Sequence, residues 1–124
     1  MSGRIAEFRD RECDVLAVNT DSIDTHQRWL TSPPSQGGMG PLEFSLASDP
    51  DGVLCKNYGV FVERGNLALR GLFIIDPNGV LQYQVVHSLN VGRSVDETLR
   101  VLEALKTGGL CGADWKPGQK PLSV

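Results

Sequence analysis

A strand-turn-strand pattern over residues 70–86 places the strongest constraint on how this chain can fold. Residues 72–75, Leu-Phe-Ile-Ile, form an unbroken apolar run that suits a strand buried on both faces. Residues 76–79, Asp-Pro-Asn-Gly, are a turn sequence, because proline presets φ and glycine tolerates positive φ. Apolar residues then alternate with glutamine over residues 81–85, so the returning strand is predicted to bury one face. The pattern predicts a β-hairpin with one inner and one outer strand, and Arg70 stands where the inner strand begins.

The remaining apolar runs and helix signals predict helices and strands in alternation. Ser94 is the predicted N-cap of the last helix, with Glu97 at the reciprocal capping-box position. The predicted elements, in chain order, are a helix over 2–12, a strand over 15–18, a helix over about 23–30, a strand near 44–47, a helix capped by Asp49 and stopped by Gly59, a connection over 60–69, the hairpin, the last helix ending at Gly108, and an irregular surface tail. This order is typical of the α/β class with an antiparallel edge.

Size and charge exclude several classes of protein. With 124 residues, the chain is long enough for one domain but not for two. Its 12 basic and 15 acidic side chains give a formal net charge of -3, without the basic cluster that a nucleic-acid groove requires. Its apolar runs are too short to cross a bilayer. Residues 1–10 lack the apolar core of a signal peptide, so we expect a cytoplasmic protein, with an organelle left open.

The cysteine and histidine spacing does not predict a metal site. Cys13, Cys55 and Cys111 show no Cys-x-x-Cys spacing, so neither a zinc site nor a disulfide scaffold is indicated. In a reducing compartment they are expected to be thiols, unless one of them is catalytic. His26 has no second histidine near it in sequence and shares a predicted helix face with Trp29. A packing or hydrogen-bonding role for His26 is therefore favoured over metal binding or acid-base chemistry.

Five segments resemble motifs of the typical two-cysteine peroxiredoxins and stand in the family's order across nearly the whole chain. They are the Asn-Thr-Asp-Ser…His…Trp segment at 19–29, Gly-Gly-Met-Gly-Pro-Leu at 37–42, Arg-Gly-Leu-Phe-Ile-Ile-Asp at 70–76, Val-Gly-Arg-Ser-Val-Asp-Glu-Thr-Leu-Arg at 91–100, and Cys-Gly-Ala-Asp-Trp-Lys-Pro-Gly at 111–118. The resemblance implies an α/β, thioredoxin-like fold in its peroxiredoxin variant, truncated at the N-terminus. It divides the chain into a partial thioredoxin-like domain over 1–109 and a tail with the resolving-cysteine motif over 110–124.

The resemblance implies reduction of hydrogen peroxide and organic hydroperoxides by a thiolate, without a metal or an organic cofactor. In the family, a peroxidatic cysteine in a Pro-x-x-x-Thr-x-x-Cys motif becomes a sulfenic acid. A resolving cysteine from the partner subunit's tail then forms a disulfide, which thioredoxin or a similar reductant reopens. Arg70 is similar to the active-site arginine that hydrogen-bonds the peroxide, and Cys111 is similar to the resolving cysteine. Gly112 stands where the family has proline, which predicts a looser backbone there.

The peroxidatic motif is not among these residues, because residues 2–13 align with the back half of the helix that would carry it. We therefore expect no peroxidase turnover from this polypeptide alone, and whether the chain is itself an enzyme is left open. Cys55 is interpreted as a thiol packed like a small apolar side chain, and Cys13 as structural. In the family, the Gly37–Gly40 loop is linked to sensitivity toward overoxidation. The alternative interpretation is that this loop is a plain flexible connection.

In the family, a further strand lies between the strands at 15–18 and 71–75. Without it both apolar edges would be exposed, which is an aggregation hazard. Three alternatives follow: a partner covers the edges, the two strands pair directly, or the chain is a fragment of a longer gene. The expected partners are a thioredoxin-like reductant and a second copy in a homodimer or higher oligomer, or a larger assembly. The alternative function is a non-catalytic homologue that acts as a structural or interaction subunit.

Overall fold

The computed structural model describes residues 2–32, 35 and 43–122, and the chain divides into two compact units, Met1–Arg70 and Gly71–Val124. The predicted division at residues 109 and 110 stays a prediction. The helices are α1 Ile5–Arg9, α2 Ile23–Thr31, α3 Val53–Asn57 and α4 Val95–Thr107, with a 3-10 turn at Ser2–Arg4. The strands are β1 Leu16–Asn19, β2 Ser45–Ser48, β3 Phe61–Val62, β4 Leu67–Ala68, β5 Arg70–Ile75 and β6 Leu81–His87. Within the described ranges, no helix is long and apolar enough to cross a membrane.

The first unit is built on a parallel pair of strands. β1 and β2 pair in register from Leu16 with Ser45 to Asn19 with Ser48. The predicted strand at 15–18 is confirmed with a shift of one residue, but it is not buried, since Leu16 is 63% exposed. The sheet has two strands, so β1 has a ladder partner on one edge only among the described residues.

α1 supplies apolar side chains to the core of the first unit. Ile5 and Phe8 lie three residues apart on one helix face and are 3% and 2% exposed. The predicted helix over 2–12 is shorter in the structure, because Glu12 has a φ of 57° and the chain turns there. The backbone N–H of Cys13 donates to the carbonyl oxygen of Phe8 at 3.0 Å and completes the turn.

α3 begins later than its sequence signals predict. Asp49 was expected at the N-cap, but the helix starts at Val53 with Gly52 at the cap position. The reason is a tight turn before the helix, in which the N–H of Gly52 donates to the Asp49 carbonyl oxygen at 3.0 Å and Gly52 takes a φ of 69°. Gly59, with a φ of 74°, follows the end of the helix as predicted.

The connection predicted over residues 60–69 contains a hairpin instead. β3 and β4 pair antiparallel, Phe61 with Ala68 and Val62 with Leu67. Asn66 closes the turn with a φ of 52°, a conformation that asparagine tolerates better than most residues. The turn is held from outside the hairpin, since Thr20 Oγ1 donates to the Asn66 carbonyl oxygen at 2.6 Å.

In the second unit, β5 and β6 form the predicted hairpin. Asp76 organises its turn: its N–H donates to the Val80 carbonyl oxygen at 2.9 Å, and its carboxylate accepts from the N–H of Asn78 at 2.9 Å and of Val80 at 3.0 Å. Gly79 takes the positive φ, 82°, that the turn requires. The prediction of a fully buried inner strand is wrong, because the sheet has two strands; Ile75 is 50% exposed.

β1 and β5 belong to separate two-stranded sheets in the described part of the chain. β1 lies in the first unit and β5 runs into the second, so direct pairing of these two strands stays a prediction. Each of them keeps an edge that its own sheet does not cover, and direct pairing, a covering partner and a longer chain are the three alternatives.

The caps of α4 are those predicted from the sequence. The Ser94 hydroxyl accepts from the N–H of Glu97 at 3.1 Å, and Gly108 ends the helix with a φ of 69°. Leu99 and Leu102 are buried, whereas Leu105 is 37% exposed.

Candidate functional site

Cys111 lies in the segment that follows α4, residues 108–122, called the C-terminal segment below. Its side chain is half-buried. The Thr107 hydroxyl oxygen is 3.5 Å from the Cys111 Sγ, a contact in which either group can donate. The thiol also lies 3.9 Å from the Ala104 carbonyl oxygen and 4.0 Å from the Gly109 carbonyl oxygen. The last turn of α4 therefore positions the thiol through weak hydrogen bonds.

The Cys111 thiol opens on a pocket of about 480 Å³. One wall of the pocket is the C-terminal half of α4, and the other is the start of the C-terminal segment. The lining residues are mostly small or apolar, and Arg100 is the basic residue among them. The pocket therefore gives a reaction partner room to approach Cys111.

Backbone bonds fix the residues on either side of Cys111. The N–H of Leu122 donates to the Leu110 carbonyl oxygen at 2.6 Å, which joins the two ends of the segment in an antiparallel bridge. On the other side, the N–H of Trp115 donates to the Gly112 carbonyl oxygen at 3.0 Å. Gly112, which stands where the family has proline, is thus held in a turn.

Trp115 anchors the C-terminal segment and is 6% exposed. Its indole N–H donates to the Gln119 carbonyl oxygen at 3.1 Å. The Gln119 side chain in turn accepts from the N–H of Lys116 at 2.8 Å. The prediction of a surface-lying tail is therefore wrong for Trp115, because these bonds fold the segment around the indole.

Arg100 joins α4 to this segment, a contact that is not predicted from the sequence. Its Nη1 donates to the Trp115 carbonyl oxygen at 2.9 Å, while its Nε and Nη2 donate to the two carboxylate oxygens of Glu97, each at 2.7 Å. Hydrogen bonding by Arg100 lowers the pKa of Glu97 and so keeps it ionised. The spacing of Glu97 and Arg100 predicts a helix-surface ion pair, but no sequence signal points to the Trp115 carbonyl.

Arg70 is the first residue of β5 and its side chain is exposed. It closes the first unit, whereas Cys111 lies in the second. The structure describes each of them within its own unit. The predicted roles of Arg70 as active-site arginine and Cys111 as resolving cysteine therefore stay predictions.

Cys55 lies in a setting that suits a structural thiol, whereas the structural role of Cys13 stays a prediction. Cys55 is 5% exposed, and burial, aided by a hydrogen bond and the charge of Asp49, raises the pKa of its thiol to about 11. A thiol with so high a pKa is a poor nucleophile at neutral pH. Cys13 is half-buried, with its sulfur 3.5 Å from the Asp14 carbonyl oxygen.

His26 is a packed, hydrogen-bonded histidine, as predicted. It is 4% exposed, its Nε2 is hydrogen-bonded to the Asn19 side-chain oxygen, and its ring stacks on Trp29 with 5.9 Å between centroids. Among the residues that the structure describes, no group of three or more His, Cys, Asp or Glu side chains is placed to hold a metal ion. The Gly37–Gly40 loop lies outside the described residues.

Comparisons with known proteins support the family resemblance of the sequence motifs. Residues 1–84 match the family model described as AhpC/TSA family. The chain is 53% identical over 122 residues to the putative peroxiredoxin YkuU of Bacillus subtilis, covering 98% of this chain and 68% of that protein. It is 45% identical over 120 residues to the mitochondrial thioredoxin-dependent peroxide reductase of Bos taurus, covering 94% of this chain and 47% of that protein.

A solved structure gives the same result for the fold. The reduced 2-Cys peroxiredoxin of Plasmodium vivax superposes with a TM-score of 0.92 at 33% identity, covering 96% of this chain and 63% of that chain. The predicted thioredoxin-like fold of the peroxiredoxin type is thereby confirmed, and the chain spans only part of the length of these relatives. This protein belongs to the AhpC/TSA family and is, by sequence and by fold, a peroxiredoxin.

Proposed function

We propose that this chain takes part in the thiol-dependent reduction of hydrogen peroxide and organic hydroperoxides, with Cys111 as the resolving cysteine. The observation that carries the proposal is the position of the Cys111 thiol, half-buried on the wall of an open pocket of about 480 Å³. Cys55, by contrast, is buried, with a raised thiol pKa. Of these two thiols, Cys111 has the access that disulfide exchange requires.

The reaction balances with one oxygen atom passing from the hydroperoxide to a thiol. A peroxidatic thiolate takes that oxygen and becomes a sulfenic acid, while the hydroperoxide leaves as water or an alcohol. The Cys111 thiol then attacks the sulfenic sulfur, an S–S bond forms, and the hydroxyl leaves as water. A dithiol reductant returns both cysteines to thiols by exchange and is itself oxidised to a disulfide.

Arg70 is proposed as the arginine that acts on the peroxide and the peroxidatic thiolate. Its exposed position at the start of β5 supports this role. Arginine remains charged throughout the physiological pH range and presents several N–H donors in a fixed geometry. Such a group favours a thiolate over a thiol and orients the peroxide oxygens.

The electron donor is proposed to be a thioredoxin-like protein, as the printed name of the bovine relative suggests for that enzyme. A cytoplasmic, reducing location is proposed with it. In such a setting Cys13, Cys55 and Cys111 are expected to be thiols in the resting protein.

The peroxidatic motif is not among these 124 residues, so the chain alone is expected to lack turnover. The test is peroxide consumption by the purified chain in the presence of thioredoxin and thioredoxin reductase. No saturable turnover above that of the reductants is expected. Saturable turnover that Cys111→Ser abolishes would mean that these residues hold a complete active site. It would contradict the proposal that Cys111 acts only as the resolving cysteine.

A second candidate, a structural or interaction subunit, is favoured by the apolar side chains at the sheets of both units. Leu16 of β1 is 63% exposed, Ile75 of β5 is 50% exposed, and Leu81 and Val86 of β6 are 44% and 43% exposed. Two-stranded sheets are marginally stable in water, and open apolar edges invite pairing. A homodimer, a higher oligomer or a larger assembly would cover them. Size-exclusion chromatography tests this candidate: a well-folded monomer at micromolar concentration would contradict it.

A further inference from the structure

We propose that Arg100 is the positioning residue that holds the C-terminal segment against α4, and that release of its bond to the Trp115 carbonyl oxygen exposes the Cys111 thiol. The inference rests on the proposed function, because it assigns a control element to the thiol that is proposed to resolve the sulfenic acid. It concerns the access of Cys111 and not the chemistry of the disulfide step.

The geometry of Arg100 shows why this residue can act as the holding point. Two of its nitrogens are bound to the Glu97 carboxylate, at 2.7 Å each, which fixes the plane of the guanidinium group. The third, Nη1, then points at the Trp115 carbonyl oxygen at 2.9 Å. Lysine has a single ammonium group and cannot hold this three-point arrangement.

The bond at Trp115 acts on Cys111 through the backbone. The N–H of Trp115 donates to the Gly112 carbonyl oxygen at 3.0 Å, and Gly112 follows Cys111 directly. Leu110, which precedes Cys111, is bound by the N–H of Leu122 at 2.6 Å. Cys111 therefore lies between two residues whose carbonyl groups are held, and opening either bond would loosen the backbone on that side of the thiol.

Outward movement would make the half-buried Cys111 thiol more accessible to a second sulfur atom. The two sulfur atoms of a disulfide lie about 2 Å apart, which requires close approach of a second side chain. In the structure, the thiol is half-buried and faces the last turn of α4, with the Thr107 hydroxyl at 3.5 Å. The Leu110–Leu122 bridge is made by backbone groups, whereas the Arg100 bond joins a side chain of α4 to the Trp115 carbonyl oxygen and can be removed by substitution.

The test measures the alkylation rate of Cys111 in the native chain, with peptide-resolved mass spectrometry separating it from Cys13 and Cys55. Arg100→Lys is expected to raise the Cys111 rate about tenfold, the size expected for losing one hydrogen bond from a charged donor, while leaving the Cys55 rate unchanged. Glu97→Gln is expected to raise the Cys111 alkylation rate less than Arg100→Lys does. The double variant Arg100→Lys with Glu97→Gln is expected to raise the rate no more than Arg100→Lys alone.

Two control variants separate positioning from general stability. Arg28→Lys makes the same chemical change on an exposed helix surface of the first unit and is expected to leave the Cys111 rate unchanged. Ser94→Ala weakens the other end of α4 without touching the Trp115 bond, and its effect on the Cys111 rate is expected to stay below twofold. In a Trp29→Phe background, Arg100→Lys is also expected to shift the Trp115 emission to the red.

A Cys111 rate within twofold of the parent in both Arg100→Lys and Glu97→Gln overturns the inference, as does an equal rise in Ser94→Ala. If Arg100→Lys does not fold, the inference is tested with Glu97→Gln alone, by its Cys111 alkylation rate and its Trp115 emission. The assay needs no peroxide and no reductant. The alkylation rate therefore tests only the positioning role of Arg100. The resolving role of Cys111 is tested separately, by whether Cys111 forms a disulfide with a peroxidatic cysteine.

Discussion

The backbone N–H of Cys55 donates to the Oδ2 of Asp49 at 2.8 Å, and the N–H of Leu54 donates to the Oδ1 of the same carboxylate at 3.2 Å. Asp49 thus caps α3 from three residues before the cap position, across the turn at Gly52. The same charge faces the Cys55 thiol, which burial already disfavours as a thiolate. One carboxylate therefore stabilises the helix start and helps to keep the cysteine inert.

The first prediction concerns the order in which the cysteines react. Because burial and Asp49 raise the pKa of Cys55 to about 11, about one thiol in a thousand is ionised at pH 8. Alkylation of the native chain at pH 8 is therefore expected to modify Cys111 well before Cys55. Raising the pH toward 11 is expected to accelerate Cys55. Equal rates for these two cysteines at pH 8 in the folded chain would show that Cys55 is accessible and reactive.

The second prediction concerns acid stability and Asp49. Hydrogen bonding to the Cys55 backbone is the main cause that holds the pKa of Asp49 below its ordinary value of 3.8. A carboxylate with a lowered folded pKa contributes stability above its unfolded pKa, and this is lost as the pH falls through the folded value. Asp49→Asn keeps a hydrogen-bond acceptor but loses the charge, so its unfolding free energy is expected to depend less on pH below about pH 4.

Asp49→Ala is the matched variant, since it removes both the charge and the acceptor. It is expected to be less stable than Asp49→Asn at neutral pH, measured by urea unfolding, because the N–H groups of Leu54 and Cys55 lose their partner. If Asp49→Asn keeps the full acid dependence of the parent chain, another carboxylate is responsible for it.

The third prediction compares two glycines of the C-terminal segment. A Cβ at Gly109 would lie 2.7 Å from the Pro121 Cβ, closer than such atoms approach, whereas a Cβ at Gly112 would meet only the Leu122 Cδ1 at 3.9 Å. Gly109→Ala is expected to lower stability by about 1–3 kcal/mol through overpacking. Gly112→Ala is expected to be neutral or stabilising by up to about 1 kcal/mol, because it restricts the unfolded chain.

Thermal unfolding measures both variants, and amide hydrogen exchange at Leu122 reports on the Leu110–Leu122 bridge. Faster exchange is expected in Gly109→Ala and unchanged exchange in Gly112→Ala. A stable Gly109→Ala protein with a protected Leu122 amide would mean that the close approach of Pro121 is not maintained in solution.

The fourth prediction uses the pair Gly52 and Gly59, which both have positive φ, 69° and 74°. Alanine at either position costs about 1–2 kcal/mol for the left-handed backbone. At Gly52 a Cβ would also overlap the Phe61 ring, whereas nothing lies within 4 Å of a Cβ at Gly59. Gly52→Ala is therefore expected to be clearly less stable than Gly59→Ala in chemical denaturation. Equal losses of stability in the two variants would show that the overlap with Phe61 does not contribute.

The sequence predicted those elements whose signals are local. The Asp76 turn and the caps at Ser94 and Gly108 depend on residues within a few positions of each other, and the structure has them where expected. The apolar run at 72–75 predicted burial that the structure does not show, because burial depends on a neighbouring strand and not on the run itself.

Contacts between distant residues account for what the sequence analysis missed. The hairpin at β3 and β4 depends on Asn66, whose left-handed conformation is supported by Thr20 and, through its side-chain amide, by the Pro50 carbonyl oxygen at 3.0 Å. Arg100 was visible only as part of a helix, and its bond to the Trp115 carbonyl oxygen spans 15 residues. Such a bond depends on the path of the segment, which no periodicity encodes.

Disulfide trapping tests the resolving role of Cys111 most directly. The chain is mixed with a peroxiredoxin that carries the Pro-x-x-x-Thr-x-x-Cys motif and whose own resolving cysteine is replaced by serine, and one equivalent of hydrogen peroxide is added. We expect a disulfide between the peroxidatic cysteine and Cys111, lost in Cys111→Ser and kept in Cys13→Ser. A disulfide through Cys13 or Cys55, or a trapped sulfenic acid with no disulfide at Cys111, would contradict it.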